Sequence, residues 1–315
     1  MDVLSDVVSA ARTGRPHSGR VTRFAPFAER SPAMPSAGFH IVLQGTCWLL
    51  PSQGEPIALG PGDVAFLPRG SAHGLADEPS TLASEPPATL TGVDDGRNDE
   101  TPADRPPTVV MLCGAYLLDG SGPHPLLNDL PEVIHLPTRV GRHRELRAAV
   151  ELLGVELDSD EPRPGSDTIL LTLLDLLLLY ILRAWFEEQR VSGHSATGWA
   201  AALHDPAVAA ALRAIHADPS RQWTVEQLGA QARLSRAAFA RRFTHLVGQP
   251  PLTYLTWWRM TTAARLLRAS DAPVNTIAQQ VGYSSQYTFT HAFKRQYGSP
   301  PGSYRHRTGG ITTPA

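Results

Sequence analysis

The sequence predicts an α+β chain, with a β-rich N-terminal part and an all-helical C-terminal part. Three observations predict it. Short β-type runs punctuated by Gly and Pro occupy residues 23–137, two apolar helical runs follow between 139 and 190, and one helix–turn–helix pattern occurs twice within Trp223–Tyr304. Charge divides along the same line. Residues 199–315 carry 13 Lys+Arg against 4 Asp+Glu, a balance of +9, whereas residues 1–198 carry 15 against 26, a balance of −11. The net charge of −2 over 315 residues conceals this split, which leaves the C-terminal part alone suited to meet a polyanion.

Residues 1–20 predict one short helix, Val3 to Arg12, and a Gly/Pro/Ser link; no signal peptide is read there. FHIVLQGTCWLL (residues 39–50) reads as strand, turn at Gln44-Gly45, and strand. Gly60-Pro-Gly62-Asp63 turns the chain into a strand at Val64 to Leu67. Residues 77–107 are rich in Pro, Asp, Glu, Ser and Thr and read as an exposed, disordered acidic loop. Thr108 to Leu118 is a long strand, and Val133 to Leu136 a last short one. Many short strands of this kind form a small β-barrel. Arg139 to Leu157 is an amphipathic helix on Leu146, Val150, Leu153 and Leu157. A second helix, 168–190, contains ILLTLLDLLLLYILRAWF. At 18 residues, with Asp175 inside and Arg183 near its end, it is marginal as a membrane span and reads as a buried helix packed on two sides. Cys47 and Cys113 are too few for a disulfide framework, so free thiols in a cytoplasmic protein are expected.

Residues 191–199 read as a linker, Asp205 as the N-cap of a helix over Pro206 to Ala217, and 306–315 as a disordered tail. Between them lies the doubled pattern. Ser235 and Ser285, Phe239 and Phe289, Phe243 and Phe293, and Gly248 and Gly298 are each 50 residues apart. Each serine caps a helix whose phenylalanines turn inward, leaving the first turn exposed. This is the arrangement in which a second helix enters the major groove of DNA. In the first reading helix the groove-facing set is Arg236, Ala237, Ala240 and Arg241, with Arg242 at the edge, on phosphate or in an ion pair. In the second it is Gln286, Tyr287, Thr290 and His291, with Lys294, the chain's only lysine, on phosphate. Arginine pairs bidentately with guanine and Gln with adenine.

The residues Leu228, Ser235, Phe239, Arg241, Phe243, Gly248, Tyr254, Arg259, Ile277, Gly282, Phe289, Phe293, Gly298, Pro300 and Tyr304 resemble the DNA-binding domain of AraC-type transcriptional regulators, over about a third of the chain. The resemblance implies two helix–turn–helix units joined rigidly by a helix over 252–269. It also places Ala237, Ala240 and Arg241 at base-contacting positions, where two alanines depart from hydrogen-bonding residues. The run Gly62-Asp63-x4-Pro68-x4-His73, with FHIVLQGTCWLL, LCGAYLL and HPLLNDLP, resembles the cupin-type sensor domain carried by a subset of these regulators. The implied layout is a sensor over 1–137, a two-helix dimerisation element over 138–190, the linker, a DNA-binding domain over 200–305, and the tail.

The function implied is sequence-specific transcriptional regulation, as an activator, by a cytoplasmic homodimer that meets double-stranded DNA, RNA polymerase and a small-molecule, metal or redox signal, and no membrane. His40, His73, Cys113 and His124 are the effector or metal candidates, with zinc or another divalent ion as the candidate cofactor. Cys47 and Cys113 are the redox candidates. The alternative is a metal-dependent cupin enzyme with an accessory DNA-binding domain. Against it, the chain lacks the His-x-His and glutamate of enzymatic cupins.

Overall fold

The computed structural model describes residues 2–11, 14–80, 88–89, 106–117, 124–138, 142–158, 163–191 and 198–308. The chain packs as two compact units.

The β-rich unit carries ten strands among the described residues: β1 (His17–Arg23), β2 (Ala28–Ser31), β3 (Ala37–Gly45), β4 (Cys47–Pro51), β5 (Ile57–Leu59), β6 (Val64–Leu67), β7 (His73–Ala76), β8 (Ala88–Thr89), β9 (Val109–Tyr116) and β10 (Ile134–Leu136). They form two five-stranded sheets, in the orders β1-β9-β3-β6-β10 and β5-β4-β7-β2-β8. The long strand predicted from Thr108 is the central β9, antiparallel to both β1 and β3. Val42, Ala65, Val109 and Met111 of the first sheet share one core with Cys47, Leu49, Leu59 and Leu75 of the second. Strand alternation sends the intervening side chains to the opposite face of the first sheet. There Phe39 and Tyr116 pack with ring centroids 5.6 Å apart, and the Tyr116 hydroxyl donates to the Leu174 carbonyl at 2.8 Å. Gly114 makes room on that face, since a Cβ there would stand 2.5 Å from the Phe39 ring.

Leu174 belongs to the second of two helices in this unit, α3 (Arg144–Leu157) and α4 (Ser166–Val191), which follow α1 (Val3–Ala11) and α2 (Pro125–Asn128) in the chain. The α3 helix starts five residues later than the periodicity predicted. The α4 helix is long and apolar enough to cross a membrane by composition, but its Leu174, Leu177, Leu178, Ile181 and Leu182 are buried. Most of the predicted acidic loop, 81–87 and 90–105, lies outside the described residues.

The helical unit departs from the sequence boundaries. It contains α1 (Val3–Ala11) and α2 (Pro125–Asn128), which the sequence assigned to the sensor, together with α5 (Gly198–His204), α6 (Pro206–Ala217), α7 (Val225–Gln231), α8 (Arg236–Val247), α9 (Pro251–Ala269), α10 (Val274–Gln280), α11 (Gln286–Tyr297) and α12 (Pro301–Thr308). The physical reason is burial. Helix α1 hides Val3, Leu4, Val7 and Val8, and packs on α6 and α9. Asp129, after α2, accepts the Trp199 N–H at 2.9 Å, and Trp199 is buried. The linker is thereby shortened at its end; residues 192–197 lie outside the described residues. Helix α12 likewise runs into the predicted tail, as far as Thr308, and 309–315 lie outside the described residues.

Within this unit the two helix–turn–helix copies are not identical in register. The N–H of Leu234 bonds the Gly229 carbonyl at 2.9 Å, and the N–H of Tyr283 bonds the Ala278 carbonyl at 2.9 Å, an offset of 49 where the capping serines are offset by 50. The second turn is one residue longer, by Ser284. The tighter first turn brings the Leu234 carbonyl within 3.0 Å of where a Cβ on residue 229 would stand, so glycine suits the place that Ala278 fills in the second copy.

Candidate nucleic-acid interface and effector cavity

Helices α8 and α11 begin in the same way. The Ser235 hydroxyl accepts the Ala238 N–H at 3.4 Å, and the Ser285 hydroxyl accepts the Thr288 N–H at 3.5 Å. Each helix ends on a left-handed glycine, Gly248 at φ 81° and Gly298 at φ 71°. Phe239, Phe243, Phe289 and Phe293 are fully buried, so the opposite faces point outward. Arg236, Ala237 and Arg241 on α8, and Gln286, Tyr287, His291 and Lys294 on α11, are exposed; Ala240 and Thr290 are half-buried. The Tyr287 and His291 rings meet edge to face at 4.5 Å and form one aromatic protrusion. Arg236 pairs with Glu226 at 3.1 Å, both side chains being largely exposed, so this contact is weak and easily exchanged. Arg242 is different. Its Nε donates at 2.7 Å to the Asp205 carboxylate, which also caps α6 through the N–H groups of Ala207 and Val208. Burial works to raise the Asp205 pKa, but Arg242 and the helix N–H groups outweigh it and hold the carboxylate ionised. Of the two roles open to Arg242, the structure gives the ion pair.

Helix α9 joins the copies, with Tyr254 in contact with the Phe243 ring and Met260, Ala264 and Leu267 in the second core. Arg259 on α9 donates to the carbonyls of Pro219 and Arg221, at 2.7 and 2.9 Å, and braces the loop before α7.

The β-rich unit holds a cavity of about 350 Å³ whose wall includes Val21, Leu67, Leu75, His40, His73 and Cys113. Pairing of β3 with β9 places His40 opposite Cys113, and β7 brings in His73. The distances are 3.1 Å from His40 Nδ1 to Cys113 Sγ, and 2.8 Å between the Nε2 atoms of His40 and His73. His73 Nδ1 lies 2.9 Å from the Ser71 carbonyl oxygen. A carbonyl only accepts, which fixes every proton in the row. His73 donates from Nδ1 and accepts at Nε2; His40 donates from Nε2 and accepts at Nδ1; Cys113 donates its S–H. Burial drives the His40 pKa down to about 3, with His73 adding to the effect, and burial lowers that of His73 too. Burial likewise pushes the Cys113 and Cys47 thiols up to about 12. Both rings and both thiols are neutral at physiological pH.

Comparison with known proteins agrees with both halves of this geometry. A cupin family model matches residues 2–187, and a helix-turn-helix domain model matches residues 228–307. An AraC-like transcription regulator of Streptomyces lividans is 34% identical over 307 residues, covering 97% of this chain and 98% of that protein. The chain belongs to the AraC family of transcriptional regulators. Another relative, the RCS-specific HTH-type transcriptional activator RclR of Escherichia coli, is 30% identical and covers 85% of this chain and 84% of its own. A crystal structure of the DNA-binding domain of AdpA in complex with a target DNA is 38% identical over 33% of this chain and 92% of that one, with a TM-score of 0.31. On the family models and these full-length relatives, the AraC-family chain is a DNA-binding transcriptional regulator with a cupin-type N-terminal domain, and not an enzyme.

The five sequence candidates for effector, metal or redox chemistry fare differently in this AraC-family chain. His124 does not join His40, His73 and Cys113. It caps α2 in the helical unit by accepting the Leu126 N–H at Nδ1, 2.9 Å away, among the rings of Trp199, Tyr254, Trp257 and Trp258. The three residues that do meet fit a divalent ion poorly. Cys113 and His73 sit at opposite nitrogens of the His40 ring, so their donor atoms face no common point, and among the described residues no group of three or more His, Cys, Asp or Glu is placed to hold a metal. Cys47 is buried with its thiol 3.6 Å from Met111 Sδ, and like Cys113 it is a protonated thiol, the less nucleophilic form.

The sequence missed the Asp6–His216–Tyr254–His124 row that locks the helical unit. His124 Nε2 lies 3.1 Å from the Tyr254 hydroxyl, that hydroxyl 2.6 Å from His216 Nε2, and His216 Nδ1 3.2 Å from Asp6 Oδ2. No local pattern links residues 6, 124, 216 and 254; only the fold does.

Proposed function

We propose that this AraC-family regulator reads an operator with α8 and α11, using Arg236, Ala237, Ala240 and Arg241 from the first and Gln286, Tyr287, Thr290 and His291 from the second. Lys294 contacts phosphate. Arg241 is the principal base-reading side chain of α8: it is exposed, and among the described residues no hydrogen bond or ion pair holds it. The observation that carries the reading is the matched pair of serine-capped helices, each burying two phenylalanines and turning its polar face out, in a region with a balance of +9.

The cupin-type unit takes a small effector in its cavity, which has the apolar walls and few polar groups of such sites. The regulator acts as a homodimer paired through α3 and α4, where Leu152, Val155 and Ile169 are exposed. It works as an activator through RNA polymerase, a reading supported by the relative named as an activator. It is cytoplasmic.

Duplexes selected from a random pool by the wild-type chain supply the assay. Fluorescence anisotropy at fixed salt is expected to show Arg241→Ala losing about 5- to 150-fold in affinity for the selected duplex, from the roughly 1–3 kcal/mol of a bidentate base contact. Binding to an unrelated duplex should fall far less. Equal loss on both duplexes would make Arg241 a phosphate contact, and unchanged affinity would remove α8 from the reading surface.

A further inference from the structure

The cavity of the cupin-type unit is electrically closed. Its two full charges, Arg23 and Glu29, are paired to each other, with side chains only 7% and 14% exposed. Arg23 also donates to the Thr22 carbonyl at 3.0 Å. The remaining titratable wall residues are the neutral row of Cys113, His40 and His73 and the exposed His17, whose pKa is lowered by its partial removal from water. Every hydrogen-bonding position on the His40 and His73 rings is used within the row, which ends on the Ser71 carbonyl. Two further wall residues, Ser31 and Ser36, carry hydroxyls with hydrogen-bonding capacity to spare, since neither side chain holds a hydrogen bond among the described residues.

These facts choose between ligand charges. An anion reaching Arg23 would meet a guanidinium whose charge Glu29 already balances, with that buried carboxylate beside it, or would have to displace Glu29 and leave it desolvated and alone. A cation reaching Glu29 would strand Arg23 in the same way. The imidazoles offer no compensating charge. A neutral molecule disturbs neither pair and exchanges only water for apolar wall.

We propose that the effector is an uncharged, mainly apolar small molecule carrying a hydroxyl or carbonyl group that meets Ser31 and Ser36. This deepens the effector reading above and rests on it.

Three probes with one alkyl chain and different head groups test the charge class on the full-length chain: 1-octanol, octanoate and octylammonium, titrated calorimetrically at neutral pH below their aggregation limits. Octanol is expected to bind saturably, and both ions at least about tenfold more weakly, which corresponds to roughly 1.4 kcal/mol. The double variant Ser31→Ala, Ser36→Ala should weaken octanol severalfold while leaving thermal stability near wild type. Histidine side-chain ¹⁵N spectra should show His73 protonated at Nδ1 and His40 at Nε2, with and without octanol. Octanoate or octylammonium binding as tightly as octanol would overturn the proposed charge class and leave the effector reading standing. A folded chain that binds none of the three would overturn the effector reading itself, and this proposal with it. Octanol binding unchanged in the double serine variant would overturn the role given to Ser31 and Ser36.

Discussion

Replacing Tyr254 with Phe removes one oxygen from the centre of the helical unit and nothing else. The ring of Tyr254 is fully buried, and Phe keeps its shape, so no cavity forms. The hydroxyl, however, serves two histidines at once. His124 takes the Leu126 N–H at Nδ1, so it must carry its proton at Nε2 and donate that proton to Tyr254 at 3.1 Å. Tyr254 then donates to His216 Nε2 at 2.6 Å, and His216 Nδ1–H donates to the Asp6 carboxylate at 3.2 Å. With the hydroxyl gone, His124 holds a buried donor and His216 a buried acceptor, each without its partner. Leaving one buried polar group unsatisfied costs about 1–3 kcal/mol, so Tyr254→Phe should cost about 2–5 kcal/mol. That is a large part of the roughly 5–15 kcal/mol that holds a domain together. In a unit of this size it lowers Tm by about 5–15 °C. Calorimetry of the full-length chain reads the effect, and the transition of the β-rich unit serves as internal control. Destabilisation below about 0.5 kcal/mol, the level of an ordinary surface substitution, would show that the row is not satisfied in the way its distances imply.

Two further outcomes follow from the same geometry. His40, His73, His124 and His216 all have folded pKa values below the unfolded value near 6.5, burial being the first cause in each. Their contribution is therefore complete above pH 6.5 and is lost as pH falls. Each unit, with two such residues, should lose stability with a slope approaching roughly 2.7 kcal/mol per pH unit below that point, measured by urea unfolding; a flat profile between about pH 7 and pH 5 would refute it. Gly282→Ala should cost about 2–4 kcal/mol and weaken DNA binding, because residue 282 sits at φ 88° and a Cβ there would stand 2.5 Å from the Ser220 carbonyl oxygen and 2.9 Å from Arg259 Nη2. A thermal melt within a degree of wild type would count against this.

What the sequence made legible was local. Serine caps, paired phenylalanines and closing glycines are decided within a dozen residues, and α8 and α11 start and stop where those residues place them. The β-rich character of the N-terminal part was legible for a similar reason, since Gly/Pro punctuation and alternation act over short spans; its division into two five-stranded sheets was not, because which strands pair is decided over long separations. The meeting of His40, His73 and Cys113 was only half legible: their strands were visible, but the register that sets His40 opposite Cys113 depends on β3 pairing with β9 across 73 residues. The destination of His124 was not legible at all. Its motif, HPLLNDLP, reads as sensor, yet an aromatic cage assembled from Trp199, Tyr254, Trp257 and Trp258 lies more than 70 residues away in sequence. The one-residue difference between the two turns was present in the residues but hidden by the exact spacing of the helices on one side of it.

The bond between Asp6 and His216 spans 210 residues and has a consequence for biosynthesis. Helix α1 leaves the ribosome well before the surface that buries its Val3, Leu4, Val7 and Val8. At roughly 5–20 residues per second, that apolar helix waits about 10–50 s for α6 and α9 while the whole β-rich unit is made in between. A nascent chain stalled before residue 206 would expose this helix to chaperones or to the α1 of a neighbouring ribosome's product. The same timing lets α1 take its seat only after α9 has been made.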